Sequence, residues 1–241
     1  MTTSYHDDPA LKSRFVAHVH RHQVEDRVLQ GTYGTTIRGE WRGCAVACSL
    51  RSLDEIDGRA LVEENDRHEE LANRLGIPLE LTRLQDAVFE GLAKEQALGW
   101  PTRFAEAMPV GRDLGMVWPK LALWLLSDEE SGVIRFARSD RSKDAILGVS
   151  KLYERWVAGS KPPPVDWQEA RSAAYAAYSA AAYAAAAAAD AAADAAAAYA
   201  DAAADAADYA DAAAAAYAHA DARRIHWGKI ADKLVELLRT A

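Results

Sequence analysis

Only two cysteines occur among the 241 residues, too few for a disulfide framework, and the expected compartment is therefore the reducing cytoplasm. Long apolar runs are missing as well. The segment LALWLL at 121–126 falls far short of the roughly 20 residues that a membrane-spanning helix needs, so no membrane partner is expected. The opening MTTSYHDDPALKSRF is polar and of mixed charge, unlike a signal peptide. The net charge is −8, and no stretch is basic enough to neutralise a row of phosphates, which argues against a nucleic-acid partner. Alternation of period 2 is absent apart from a weak candidate strand, GVIRFA at 132–137. The expected fold class is accordingly all-α.

What is present is helical punctuation. Asp8 suits an N-cap, Pro9 the first helical position and Gly31 the residue past the end, which frames a first amphipathic helix. His18 and His22 share its apolar face with Leu11, Phe15 and Leu29. A second helix is expected from about Gly43 to Leu53. LVEENDRHEELANRL ends at Gly76, and Pro78 opens LELTRLQDAVFEGLA. Trp100-Pro101 is read as opening TRFAEAM, and Trp118-Pro119 as opening KLALWLL. SKDAILGVSKLYERWVAG closes this region.

The run SKPPP at 160–164 is the best boundary, because three prolines cannot continue a helix. The expected organisation is a helical domain over 1–160 with a Gly/Thr-rich loop at 31–43, a proline linker at 161–164, and an alanine-rich helical region over 165–241. In that region 35 of the 50 residues from 173 to 222 are alanine, and neither glycine nor proline interrupts 166–227. Alanine is the best helix former. The small-residue face invites another helix, so the region should either fold back or build a homo-oligomer.

The chemistry concentrates in GTYGTTIRGEWRGCAVACSL at 31–50. Its glycines free backbone N–H groups, Thr35 and Thr36 add hydroxyls, Arg38 and Arg42 add fixed cations, and Tyr33 and Trp41 offer flat rings. These are the ingredients of a site for a small anionic, nucleotide-like ligand, with His18, His22 and Cys44 lining it. The segment matches neither a P-loop nor a dinucleotide fingerprint, and a plain interhelical loop with capping threonines is the competing reading. Two alternatives use the cysteines. Cys44, near a helix start and Arg42, could be a nucleophile with His22 as its base, giving a hydrolase or transferase. His18 and His22 together with Cys44 and Cys48 could instead hold zinc, the one cofactor considered. Elsewhere Asp86 and Glu90 share a helical face as paired carboxylates, although a solvated face accounts for them too. Glu63, Glu64, Asp66, Glu69 and Glu70, with Arg67 and His68, read as a charged surface.

The order YHDDPALK, GTYG, RGCAVACSL, LQDAVFEGL, FAEAMPVGRDL and a terminal ADKLVELLRTA resembles a group of uncharacterised proteins of bacteria and their phages or prophages. The resemblance covers most of the chain and implies context rather than an activity. Phage proteins of this kind bind a host protein or sequester a host signalling molecule. It therefore favours a non-enzymatic counter-defence protein that captures a nucleotide-like host signal, with a structural or host-protein-binding oligomer as the remaining possibility.

Overall fold

The computed structural model describes residues 3–60, 67–137, 139–178 and 220–241. Among them are nine α-helices and one two-stranded sheet, so the all-α expectation holds at the level of class. The chain divides into two compact units, Met1–Gly115 with Ala231–Ala241, and Met116–Ile230. The division does not follow the proline run.

In the first unit α1 spans Pro9–Val24, and the Asp8 carboxylate accepts the Ala10 N–H at 2.7 Å. This helix stops well before Gly31. Asp26 turns to a left-handed φ of 54°, and the Arg27 N–H bonds back to the His22 carbonyl at 2.8 Å. The next segment then runs extended, with Val28 bridging to Gly43. Before α1, Tyr5, His6 and Asp7 form a left-handed bend with φ of 54°, 51° and 60°. The bend is fastened by the Tyr5 hydroxyl to the Ala105 carbonyl (2.6 Å) and by His6 Nε2 against the Asn73 carbonyl (3.0 Å).

The Gly/Thr-rich stretch is not a loop. Gly34–Ile37 (β1) and Glu40–Gly43 (β2) pair antiparallel. Arg38 and Gly39 join them with φ of 54° and 83°, the two positive values of a type I′ hairpin. Gly34 faces Gly43 in the register, and the Trp41 indole lies across both. A Cβ on Gly43 would stand 2.7 Å from that ring and 2.7 Å from the Tyr33 carbonyl oxygen. The Gly43→Ala variant should lose about 2 kcal/mol, the cost of overpacking a filled slot. An unchanged urea midpoint would disprove this account of the glycine.

Four more helices follow: α2 (Ala45–Asp57), α3 (His68–Leu75), α4 (Leu79–Gly91) and α5 (Lys94–Ala107). Cys44 is the N-cap of α2 rather than part of its first turn. Gly76 ends α3 in the left-handed conformation, as glycine at that place should. Pro101 lies inside α5 and does not open it. The helix continues through the missing N–H because Trp100 and Phe104 are buried on its inner face, with the Trp100 indole N–H on the Gln85 carbonyl at 2.8 Å. Tertiary packing here outweighs the local penalty.

The second unit contains α6 (Val117–Ser127), α7 (Asp140–Val157) and α8 (Pro164–Tyr178). The weak strand candidate is a short 3-10 turn, Val133–Phe136. Trp167 of α8 packs edge-on against Tyr153 of α7, with ring centroids 4.9 Å apart, so the proline run sits within a unit. The last helix, α9, spans Ala220–Arg239. Its final turns belong to the first unit, where Leu234, Val235 and Leu238 are buried and Asp232 meets Arg103 at 2.5 Å. Residues 179–219, which carry most of the alanine repeat and the oligomer expectation, lie outside the described residues. No helix among the described residues is long and apolar enough to cross a membrane.

Candidate functional site

A two-stranded ribbon sends alternate side chains to opposite faces. The register therefore places Thr36 and Trp41 on one face and Thr35 and Arg42 on the other. Arg38 occupies the exposed tip of the turn. Arg42 is turned to Asp26, Nη1 to Oδ2 2.9 Å. Trp41 packs edge-on against His22, with centroids 6.0 Å apart, and carries the Arg51 guanidinium 4.5 Å from its ring centre. The residues expected to line one pocket are thus divided among the two faces of the hairpin and its tip.

The histidines separate in the same way. His18 Nδ1 lies 3.3 Å from the Glu55 carboxylate, which also accepts from Arg21. His22 is 1% exposed, and neither of its ring nitrogens has a hydrogen-bond partner. Burial lowers its pKa to about 4, and the surrounding Arg27, Arg21 and Arg51 add to the effect against an opposing Glu55. The Cys48 thiol points at the Gly43 and Arg27 carbonyls, 3.4 and 3.7 Å away. Among the described residues no group of three or more histidine, cysteine or acidic side chains is arranged to hold a metal. The zinc set of His18, His22, Cys44 and Cys48 is not assembled. The helices place each pair against different partners.

The nucleophile reading meets a second obstacle. Cys44 is 4% exposed, and burial raises its pKa, with the Asp86 carboxylate adding to the rise and the Val46 and Ala47 N–H groups opposing it. Cys48 is likewise pushed up to about 12, by burial. Both thiols are protonated at neutral pH, the reverse of an activated cysteine.

What the packing of α2, α3 and α4 does bring together is a different set. Cys44 N–H donates to the Tyr33 carbonyl at 3.1 Å. The Tyr33 hydroxyl sits beside the Arg67 guanidinium; its pKa is raised to about 12 by burial, against the pull of that cation. Arg67 grips Glu70, with Nε and Nη2 both 2.7 Å from its carboxylate oxygens. His68 Nε2 lies 3.5 Å from Asp86 Oδ2, while Asp86 Oδ1 is buried and accepts nothing. One helical turn on, Glu90 accepts the Gly31 N–H at 2.9 Å. Its pKa is raised first by burial and then by Asp86.

Tyr33 and Cys44 were singled out by their own segment. Asp86 and Glu90 carried a signal in their spacing of four, but a solvated face was the favoured explanation of it. Arg67 and His68 carried none beyond charge. The set offers an unmet carboxylate acceptor, a cation, an imidazole and a phenol around a protonated thiol. That is recognition chemistry for a polar small molecule. No protein-family model matches the chain, and neither curated proteins nor solved structures provide a match.

Proposed function

We propose that this chain is a non-enzymatic binding protein that holds a small nucleotide-like ligand at Tyr33, Cys44, Arg67, His68 and Asp86. The observation that carries the reading is Asp86 Oδ1, a carboxylate oxygen enclosed without a donor. An unmet buried acceptor is costly, and a ligand N–H removes the cost on binding. The amino or imino edge of a base supplies such a donor. The Arg67 guanidinium provides positive charge for an anionic group on the same molecule, His68 a hydrogen-bonding imidazole, and the Tyr33 ring a flat partner. The buried, protonated thiol of Cys44 favours capture over turnover.

A thermal-shift and calorimetry panel of cyclic dinucleotides and ADP-ribose-type nucleotides tests the proposal. At least one should raise the melting temperature. Asp86→Ala should weaken that ligand by about tenfold or more, the worth of a charged hydrogen bond, while leaving the unliganded protein as stable as before. Arg38→Ala and Arg42→Ala should bind normally, because those side chains lie elsewhere. The proposal fails if no anionic nucleotide binds, or if Asp86→Ala binds as the parent does.

A further inference from the structure

A second place in the first unit is shaped for a ligand, and it owes nothing to the Asp86 cluster. Val28 and Leu29 from the extended segment after α1, Phe89 from α4, and Ala97 and Leu98 from α5 wall a cleft of about 200 Å³. Val28, Phe89 and Ala97 are buried, so the floor is apolar and closed to hydrogen bonding. An apolar cavity of about 150 Å³ is large enough to take up benzene. This cleft therefore accommodates one six-membered ring or a branched chain of similar bulk.

Two polar groups complete the lining, Gln30 and Lys94. Lys94 begins α5 and is exposed, and its ammonium has no ion-pair partner among the described residues. Glu90, the acid one turn before it in sequence, is occupied by the Gly31 N–H. Gln30 is fastened by its amide nitrogen, which donates to the Phe89 carbonyl at 2.6 Å and the Leu92 carbonyl at 3.0 Å. Its side-chain oxygen takes no donor from the described residues, so the fixed amide presents an acceptor at the cleft.

We propose that this cleft binds a small aromatic carboxylate, its ring among Val28, Leu29, Phe89, Ala97 and Leu98 and its carboxylate on Lys94. The apolar walls select the ring, and the unpaired ammonium selects the anion. The Gln30 oxygen favours rings bearing a hydroxyl or N–H. A phosphate-bearing nucleotide does not fit a space of this size and polarity. The cleft and the Asp86 cluster are thus separate in chemistry, and Asp86→Ala leaves this site intact.

The test is a fluorine-detected NMR titration of the full chain with 4-fluorobenzoate and, in parallel, with the neutral 4-fluorobenzyl alcohol. Saturable binding of the benzoate is expected, with the alcohol about fivefold weaker, the worth of one partly exposed charge contact. Lys94→Gln, an exposed change that does not threaten the fold, should bring the benzoate to the level of the alcohol. Leu98→Trp, which fills the cleft, should remove both. Equal affinity for the acid and the alcohol, indifference to Lys94→Gln, or non-saturable binding would each overturn the assignment.

Discussion

Arg74→Met should lower the folding free energy by about 3–5 kcal/mol, the typical result of stranding one member of a buried ion pair. Arg74 projects from α3 and clamps α2. Its guanidinium meets the Asp54 carboxylate, lies 2.8 Å from that of Asp57, and reaches Glu70 at 3.4 Å. The Asp54 side chain is 4% exposed, so without Arg74 a buried carboxylate loses the guanidinium it is paired with. Methionine keeps most of the apolar stem, which confines the loss to the charge. The companion variant Arg74→Met with Asp54→Leu should recover most of the stability, since removing both charges of a buried pair is often close to neutral. Urea unfolding followed by circular dichroism reads both. A single variant within 1 kcal/mol of the parent would show that water reaches Asp54 after all.

Acid should weaken the protein through His22. Its pKa falls from 6.5 to about 4 on folding, with burial the first cause. The unfolded chain therefore binds the proton more readily. The stability at stake is fully present above pH 6.5 and is lost as the pH falls from there towards 4. At about 1.4 kcal/mol per pKa unit the loss amounts to about 3 kcal/mol. His22→Phe keeps an aromatic edge against Trp41 and removes the titration. Between pH 7 and pH 4 the parent should lose about 3 kcal/mol more than this variant, whatever the carboxylates contribute to both. Parallel pH profiles for the two proteins would show that His22 is protonated without cost in the folded state.

The architecture was legible where one residue has a strong local preference. Asp8 with Pro9, Gly76 and Pro78 each mark a helix end where the structure has one. It was not legible where packing sets the outcome. The hairpin turns on Arg38-Gly39, and arginine has no liking for a positive φ. Its strands carry threonine and glycine, with no apolar alternation to declare them. Pro101 reads as a helix start, yet it is carried within α5 by the burial of Trp100 and Phe104. The candidate site shows the same divide. The spacing of Asp86 and Glu90 displays two carboxylates on one face, but the meeting of Asp86 with Cys44 and His68 depends on how α2, α3 and α4 stack. No local pattern encodes that.

The membership of Ala231–Ala241 in the first unit has a consequence for the order of events during synthesis. Residues 1–115 cannot complete their core on emerging, because Leu234, Val235 and Leu238 are made only after the second unit. The second unit is thus an insertion, with both ends tied into a domain that closes only once the segment carrying Leu238 has been made. A nascent chain holds its first helices unfinished while everything between is made, and any chain cut short before Ala231 leaves that unit open.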